Sequence, residues 1–585
     1  MKEGTITLAM IVKNEEENLQ ACLDSVSHQV DEIVIVDTGS TDSTLEIARK
    51  FTNKIYRYPW DDDFSAARNF AIEKASSEWI LSLDADEELA AETGDLKGLI
   101  TRDKSTEAYL LPLDNPTADG NGEYNRFLVL RLFKNNGQYR FEGKIHEQIV
   151  ITKKEALRMA AGPVIKHKML PSGERNRKRG RNLSLLKKAY SREPQNHFLE
   201  YYLGVEWLML GKPGKALPYL EKAYRNITDS NLFFRAPALR YLIISLQSLG
   251  RLDEAICLCL EAELKYPDYT DIYYLCGILF EEKKELQLAI KWFNQAVKCG
   301  TPPPFYSHMN GTESFLAFYH LGYCHEMLGQ TNAAQNYYEQ ALAANPKYTF
   351  PIYNLFLLLK AKSGARHTLK YLKEKGYLGS SQLALPVANL FFASGFPGLA
   401  RLSLEEVADK KNCDEMRFCL GQYNIFSGKL EQGLKHLKQV SVESKFYIQS
   451  QILQTIALLL LERFAEGRSL ALKLWRNQET RCEGWILVNL TRMMEKDGII
   501  NCPQKIREKE LLTPALEIFN LCNYYLPEYG RQNPRLLQLA ANLKSIIKST
   551  SPQGYLTLLE FYRDKAGRVR SSLNYKFKIG GNTHG

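Results

Sequence analysis

The chain has 585 residues, 45% of them hydrophobic and 24% charged, with 32 Tyr and 26 Phe. That length exceeds one hydrophobic core, so several domains or a repeat array are expected, and the composition excludes a mainly disordered chain. A net charge of +9 is modest for this length and gives no ground for a nucleic-acid partner.

The 11 cysteines are odd in number and contain no CxxC pair. They point away from a zinc site or a disulfide framework and toward a reducing compartment, so a cytoplasmic location is expected. Four Asn-x-Ser/Thr matches (Asn182, Asn226, Asn310, Asn489) carry little weight there. The opening MKEGTITLAMIVKNEEE holds an apolar stretch, Ile6 to Val12, that runs into acidic residues without a small-residue cleavage site. It reads as a strand rather than a signal peptide. No run approaches about 18 apolar residues, so no membrane span is expected.

Residues 6–12 are followed by a helix whose cap is expected at Asn14, with Glu17 three residues on and Leu19, Cys22, Leu23 and Val26 on one face. EIVIVD (32–37) reads as a second strand buried on both faces, and a capping box of Ser43 and Glu46 opens the next helix. A third strand is expected over 54–60, a helix over 69–75 and a fourth strand over 78–84. Strand alternating with helix predicts a parallel sheet with ligands beyond the carboxyl ends of its strands. The polar clusters fall there, at 13–16, 37–42, 61–63 and 84–88.

WILSLDADEEL (79–89) raises a question of charge: an apolar run ends in Asp84, Asp86, Glu87 and Glu88. Two carboxylates about 4 Å apart repel by about 4 kcal/mol at an effective dielectric of about 20, so a positive partner is required.

From about residue 185 the period changes. Alanine pairs seven apart recur at 216/223, 255/262, 289/296 and 334/341, at intervals of 39, 34 and 45 residues. The excess in the last interval is assigned to the loop TPPPFYSHMNGTES (301–314). Gly395 with Ala400, Gly428 with Gly433, and Gly467 continue the unit more weakly. A helix–turn–helix unit of about 34 residues resembles tetratricopeptide repeats, in which neighbouring units bury one another's faces.

MIVKNEEENL, IVDTGSTDST, WDDDFSAARNFA and WILSLDADEEL, in that order, resemble the successive motifs of family 2 glycosyltransferases of the GT-A fold. The resemblance covers roughly residues 1–170 and is nearest to the branch fused to tetratricopeptide repeats, of which bacteriocin S-glycosyltransferases are one example. It implies an α/β GT-A domain (1–170), a basic linker (171–184), tetratricopeptide repeats (185–350), degenerate helical repeats (351–500) and a helical region with a basic tail (501–585).

The resemblance also implies roles. Asp84 and Asp86, at i and i+2 of an extended segment, suit a hard divalent cation, Mn2+ or Mg2+, shared with the leaving diphosphate; a solvated acidic helix start is the alternative. His167 completes the metal shell or packs in the core. Asp37 reads the base or opens a helix, and Asn14 and Glu15 flank the nucleoside, with capping the alternative for Asn14. Asp63 and Arg68 line the nucleotide pocket, Arg68 meeting phosphate, and Asp84 also faces the donor. Glu147 is the expected catalytic base, with His146 positioning it or near the metal, unless the pair merely ends a strand.

The resulting expectation is a metal-dependent, inverting glycosyltransferase with a nucleotide-diphosphate sugar donor, a UDP-sugar first. A peptide, protein or glycan acceptor is held by the repeats, and a homodimer is admitted. The alternative is a repeat scaffold whose GT-A domain is a relic. A dinucleotide-dependent oxidoreductase is set aside, because VKNEEEN lacks the G-x-G-x-x-G that lets a pyrophosphate approach the backbone.

Overall fold

The computed structural model describes residues 4–117, 122–151, 153–228, 231–407, 413–497, 512–528 and 534–550, with 553 and 556. It divides into two compact units, Met1–Pro351 and Ile352–Gly585. Among the described residues no helix is long and apolar enough to cross a membrane.

The first unit begins with β1 (Ile6–Val12), α1 (Leu19–Val26), β2 (Glu32–Asp37), α2 (Thr44–Ala48), β3 (Ile55–Arg57), α3 (Phe64–Lys74) and β4 (Trp79–Ser82). Next come β5 (Glu87–Ala90), α4 (Leu96–Arg102), β6 (Ala108–Pro116), β7 (Tyr124–Lys134), β8 (Phe141–Glu142), β9 (Gln148–Ile149), β10 (Leu157–Met159) and β11 (Val164–His167). The main sheet runs β3-β2-β1-β4-β7-β6-β11-β5. β1 pairs in parallel with both β2 and β4, and β7 enters antiparallel to β4. Strand order therefore reverses at β1, which opens a crevice at the carboxyl ends of β1, β2 and β4. Ile6, Leu8 and Met10 of β1 are fully buried, as a strand covered on both faces requires.

Several local expectations change. Asn14 is not a cap: helix α1 starts at Leu19, and Asn14 adopts a left-handed backbone (φ 55°) that turns its side chain toward the next loop. Ser43 makes no side-chain cap on α2, and its N–H, which a capping box would give to Glu46, goes to the Glu16 carboxylate (3.0 Å). The acidic run after β4 leads into β5, paired antiparallel with β11, and is not a helix start. Residues expected as a basic linker are helical from Ser172 onward, in α5 (Ser172–Arg192).

Helices α6 (His197–Met209), α7 (Pro213–Asn226), α8 (Leu232–Ser248), α9 (Leu252–Lys265), α10 (Thr270–Glu282) and α11 (Leu286–Cys299) stack in pairs. Then follow β12 (His308–Met309), α12 (Phe315–Met327) and α13 (Thr331–Ala344). All eight alanines of the recurring pairs are buried. Gly277 and Gly322 explain the tight pairing: a Cβ on either would stand 2.6 Å from the ring of Phe293 or Tyr338 on the partner helix. The long interval before α12 houses β12, which pairs antiparallel with β7 opposite Arg126 and Asn125. A repeat-borne strand thus extends the main sheet.

In the second unit every described element is helical, including Leu512–Glu528 and Pro534–Thr550. The basic tail lies outside the described residues.

Candidate active site

Three loops meet at the crevice, stitched by side-chain to backbone bonds. Asn14 Oδ1 accepts the Thr41 N–H (2.7 Å), and the Asn14 N–H donates to Ser40 Oγ (3.0 Å). Asp37, 3% exposed at the end of β2, accepts the Ser40 N–H through Oδ1 at 2.9 Å. Glu15 donates its N–H to Thr44 Oγ1 (2.7 Å), and its carboxylate accepts from Asn18 Nδ2 (2.7 Å). Burial raises the Glu15 carboxyl, opposed by Asn18 and the Lys178 ammonium.

The motif WDDDFSAARNFA is organised by α3. Asp63 caps the helix, accepting from the Ala66 N–H (3.0 Å) and Ser65 Oγ (2.7 Å), and lies 3.6 Å from Lys144 Nζ. Burial would raise its carboxyl, but these bonds hold it below the usual range. One turn on, Asn69 clamps the backbone of Phe141 with two 2.9 Å bonds. The hairpin β8–β9 is thereby fixed against α3, with His146 and Glu147 in its connection.

Arg68, 7% exposed, sits between two carboxylates. Its Nη2 donates to Asp84 Oδ1 and its Nε to Glu147 Oε1, each at 2.5 Å. Arg131 of β7 takes the other Asp84 oxygen (2.9 Å) and also Glu87 Oε1 (2.7 Å). For Asp84, burial alone would raise the carboxyl; the two arginines outweigh it and hold the group well below the usual carboxylate range. Burial pushes Glu87 up to about 7, against Arg131 and with Asp84 adding to the rise.

Asp86 has a different partner. Its Oδ2 accepts from Lys178 of α5 at 3.2 Å and lies 3.6 Å from His167 Nε2. The same ammonium is 3.9 Å from Glu15 and 3.8 Å from Glu174. The positive charge that the acidic run requires is therefore supplied first by the protein: two arginines for Asp84 and one lysine for Asp86.

The three residues expected to share a metal do not stand together in this structure. Asp84 does not join Asp86 and His167, because both its oxygens are taken by guanidinium groups. Among the described residues no set of three or more His, Cys, Asp or Glu side chains gathers around a metal position. Asp86 and His167 nevertheless offer an oxygen and an imidazole nitrogen at one point, where three carboxylates already draw a cation. That donor pair could hold a hard divalent cation such as Mn2+ or Mg2+.

Two residues here were given no role from the sequence, Arg131 and Lys178, and Glu87 only its place in the acidic run. Arg131 had a signal, a single charge inside the apolar strand FLVLRLF. Lys178 had none beyond its place in a basic run, since its contact with Asp86 spans 92 residues.

Residues 7–152 match the family model described as glycosyl transferase family 2, and 242–303 and 316–348 match tetratricopeptide-repeat models. The SPbeta prophage-derived glycosyltransferase SunS of Bacillus subtilis is 31% identical over 281 residues, 46% of this chain and 65% of that protein. A TPR repeat-containing protein of Synechococcus elongatus is 43% identical over 145 residues, 25% of this chain and 35% of its own length. The chain thus spans less than two thirds of either relative. A solved tetratricopeptide repeat protein from Parabacteroides merdae covers 45% of this chain and 99% of its own, at 17% identity and a TM-score of 0.26.

Proposed function

We propose that this chain, in which a family 2 glycosyl transferase domain precedes tetratricopeptide repeats, moves a sugar from a nucleotide-diphosphate donor to an acceptor with inversion at the anomeric carbon. The observation that carries the reading is the chain of contacts Asp84–Arg68–Glu147, which joins the carboxyl end of β4 to the His146–Glu147 hairpin.

In this mechanism Asp37 accepts the imide N–H of a uracil base, and the loop at Asn14 and Glu15 borders the nucleoside. Asp84 is held rigid by Arg68 and Arg131 and receives hydroxyls of the donor. Lys178 leaves Asp86 for the diphosphate as the donor enters, so a charge already stored in the site meets the phosphate. Asp86 and His167 would hold Mn2+ or Mg2+, which when bound supplies neutralising charge to the departing diphosphate. The acceptor nucleophile attacks the anomeric carbon from the face opposite the diphosphate; its bond to the sugar forms as the carbon–oxygen bond to phosphate breaks. Glu147 takes the acceptor's proton on Oε2, with Oε1 pinned by Arg68. A peptide acceptor would lie along the open cleft of ≈ 1040 Å³ bordered by Ile151, Lys154, Arg192, Asn196, Phe198 and Phe233.

The test is release of nucleoside diphosphate from a panel of UDP-, GDP- and dTDP-sugars. We expect one uridine donor to be consumed by the full chain and at least about a hundredfold less by Asp86→Asn. Equal turnover by Asp86→Asn would refute the role of Asp86. No turnover of any donor would favour the scaffold reading.

A further inference from the structure

Between the hairpin and the first repeat helix lies a group of side chains that the mechanism above does not use. The His146 ring lies flat on Tyr202 of α6, with centroids 3.9 Å apart and planes within 2°. Gln148 Nε2 donates to the Tyr202 hydroxyl at 3.4 Å. One turn along α6, Glu206 is 7% exposed and accepts from Asn182 Nδ2 at 3.3 Å through Oε1. Arg179 Nη1 stands 3.8 Å from its other oxygen, too far for a hydrogen bond.

Two buried polar atoms remain without a hydrogen-bond partner: His146 Nε2 and Glu206 Oε2. They belong to side chains that face each other, with His146 Nε2 3.8 Å from Glu206 Oε1. His146 is also held with φ at 50°, a conformation that residues other than glycine rarely adopt. An unsatisfied buried carboxylate oxygen and a strained backbone each cost stability. Such costs are kept where a ligand removes them. Burial pushes the His146 imidazole down to about 4, so it is neutral, and raises the Glu206 carboxyl against Asn182 and Arg179. His146 is adjacent in sequence to Glu147, the proposed proton acceptor, and the Tyr202 on which it stacks feels the Glu147 charge.

We propose that Glu206 and His146 form the subsite that receives the acceptor's reacting hydroxyl or thiol, so that the first repeat helix completes the transfer centre. This rests on the glycosyltransferase reading. The acceptor X–H donates to Glu206 Oε2, while its lone pair meets His146, and the stacked Tyr202 keeps the imidazole from turning away. Glu206 is a positioning residue here: its hydrogen bond holds X–H before reaction, and X–H then turns to Glu147 Oε2, which takes this single proton as the bond to the sugar forms. In this arrangement the sugar cannot be delivered productively unless the repeats are docked, whereas the donor binds without them.

The experiment uses the full chain, UDP-glucose, and two small probes, glycerol for a hydroxyl and 2-mercaptoethanol for a thiol. In Glu206→Gln we expect the KM of the preferred probe to rise at least about tenfold while the UDP-glucose KM stays within about twofold and the melting temperature is unchanged. The probe with the lower KM identifies the reacting atom class. Should Glu206→Gln fail to fold, Asn182→Ala, which only releases the Glu206 side chain, is expected to raise the same KM. A donor-independent readout is the 15N resonance of His146 Nε2, which should move on adding either probe to the wild type and stay still in Glu206→Gln. An unchanged probe KM, a donor KM that rises in parallel, or a motionless His146 resonance would overturn the proposal. UDP binding by the wild type is measured separately and decides the glycosyltransferase reading on its own.

Discussion

Replacing Arg68 by alanine is expected to remove about 3–5 kcal/mol from the stability of the first unit and to abolish transfer. Arg68 is 7% exposed and neutralises Asp84 and Glu147 together; it also reaches Ser82 Oγ at 3.4 Å and lies over the Phe141 ring at 5.3 Å. Its loss leaves Glu147, with an 11% exposed side chain, without its guanidinium and leaves Asp84 with Arg131 alone. Arg68→Lys should recover only part, because one ammonium cannot fork between two carboxylates. The first unfolding transition in urea reads the stability. The acid limb gives a second signature. Asp84 is depressed in the folded state, so its contribution is present above its unfolded value of 3.8 and lost as pH falls. In Arg68→Ala that limb should move to higher pH. A variant as stable as the wild type between pH 5 and 7, roughly the plateau of most proteins, would contradict this reading.

The second large effect lies in the repeats. Asp271 is fully buried and accepts from Arg240 Nη1 (2.8 Å), His308 Nδ1 (2.7 Å), the Met309 N–H (2.9 Å) and Thr312 Oγ1 (3.1 Å). His308 Nε2 is 3.1 Å from Glu313. This network folds the 307–312 loop and so presents β12 to β7. Asp271→Ala leaves Arg240 and His308 as buried cations without their carboxylate, and should cost about 3–5 kcal/mol. The pH dependence follows from His308. Burial lowers its affinity for a proton, but Asp271 and Glu313 outweigh burial and raise it from 6.5 to about 9. A raised group stabilises fully below its unfolded value. Its contribution, about 3 kcal/mol at most, is therefore present below pH 6.5 and lost as pH rises through about 9. Urea midpoints collected over that window should fall in the wild type and stay flatter in Asp271→Asn. Parallel curves would show that His308 is not held charged.

How much of this was legible in the sequence depended on the range of the interaction concerned. Strands 6–12 and 32–37 were legible to the residue, because β-branched runs buried on both faces leave an unbroken apolar signal. The repeat alanines were legible because a fixed period repeats one packing contact many times. Asn14 misled: Asn before an acidic helical pattern is ordinary capping chemistry, and only the loop at Thr41, 27 residues away, draws it elsewhere. The acidic run showed its need for positive charge, but carboxylates carry no mark of which distant side chain will meet them. Arg131 and Lys178 reach it from 47 and 92 residues away. The insertion at 301–314 showed as excess length, yet a strand of two residues has no period to read. The same limit hid Glu206, whose meeting with His146 exists only after the first repeat has docked.

The central claim is that the acidic edge of the sheet exchanges its own lysine for a donor's diphosphate and a dication at Asp86. Calorimetric titration of the full chain with UDP, once with Mn2+ and once with chelator, tests it most directly. The account predicts binding with Mn2+ that weakens at least about tenfold on chelation, and equally in Asp86→Ala. UDP binding of the same strength in all three conditions would contradict it.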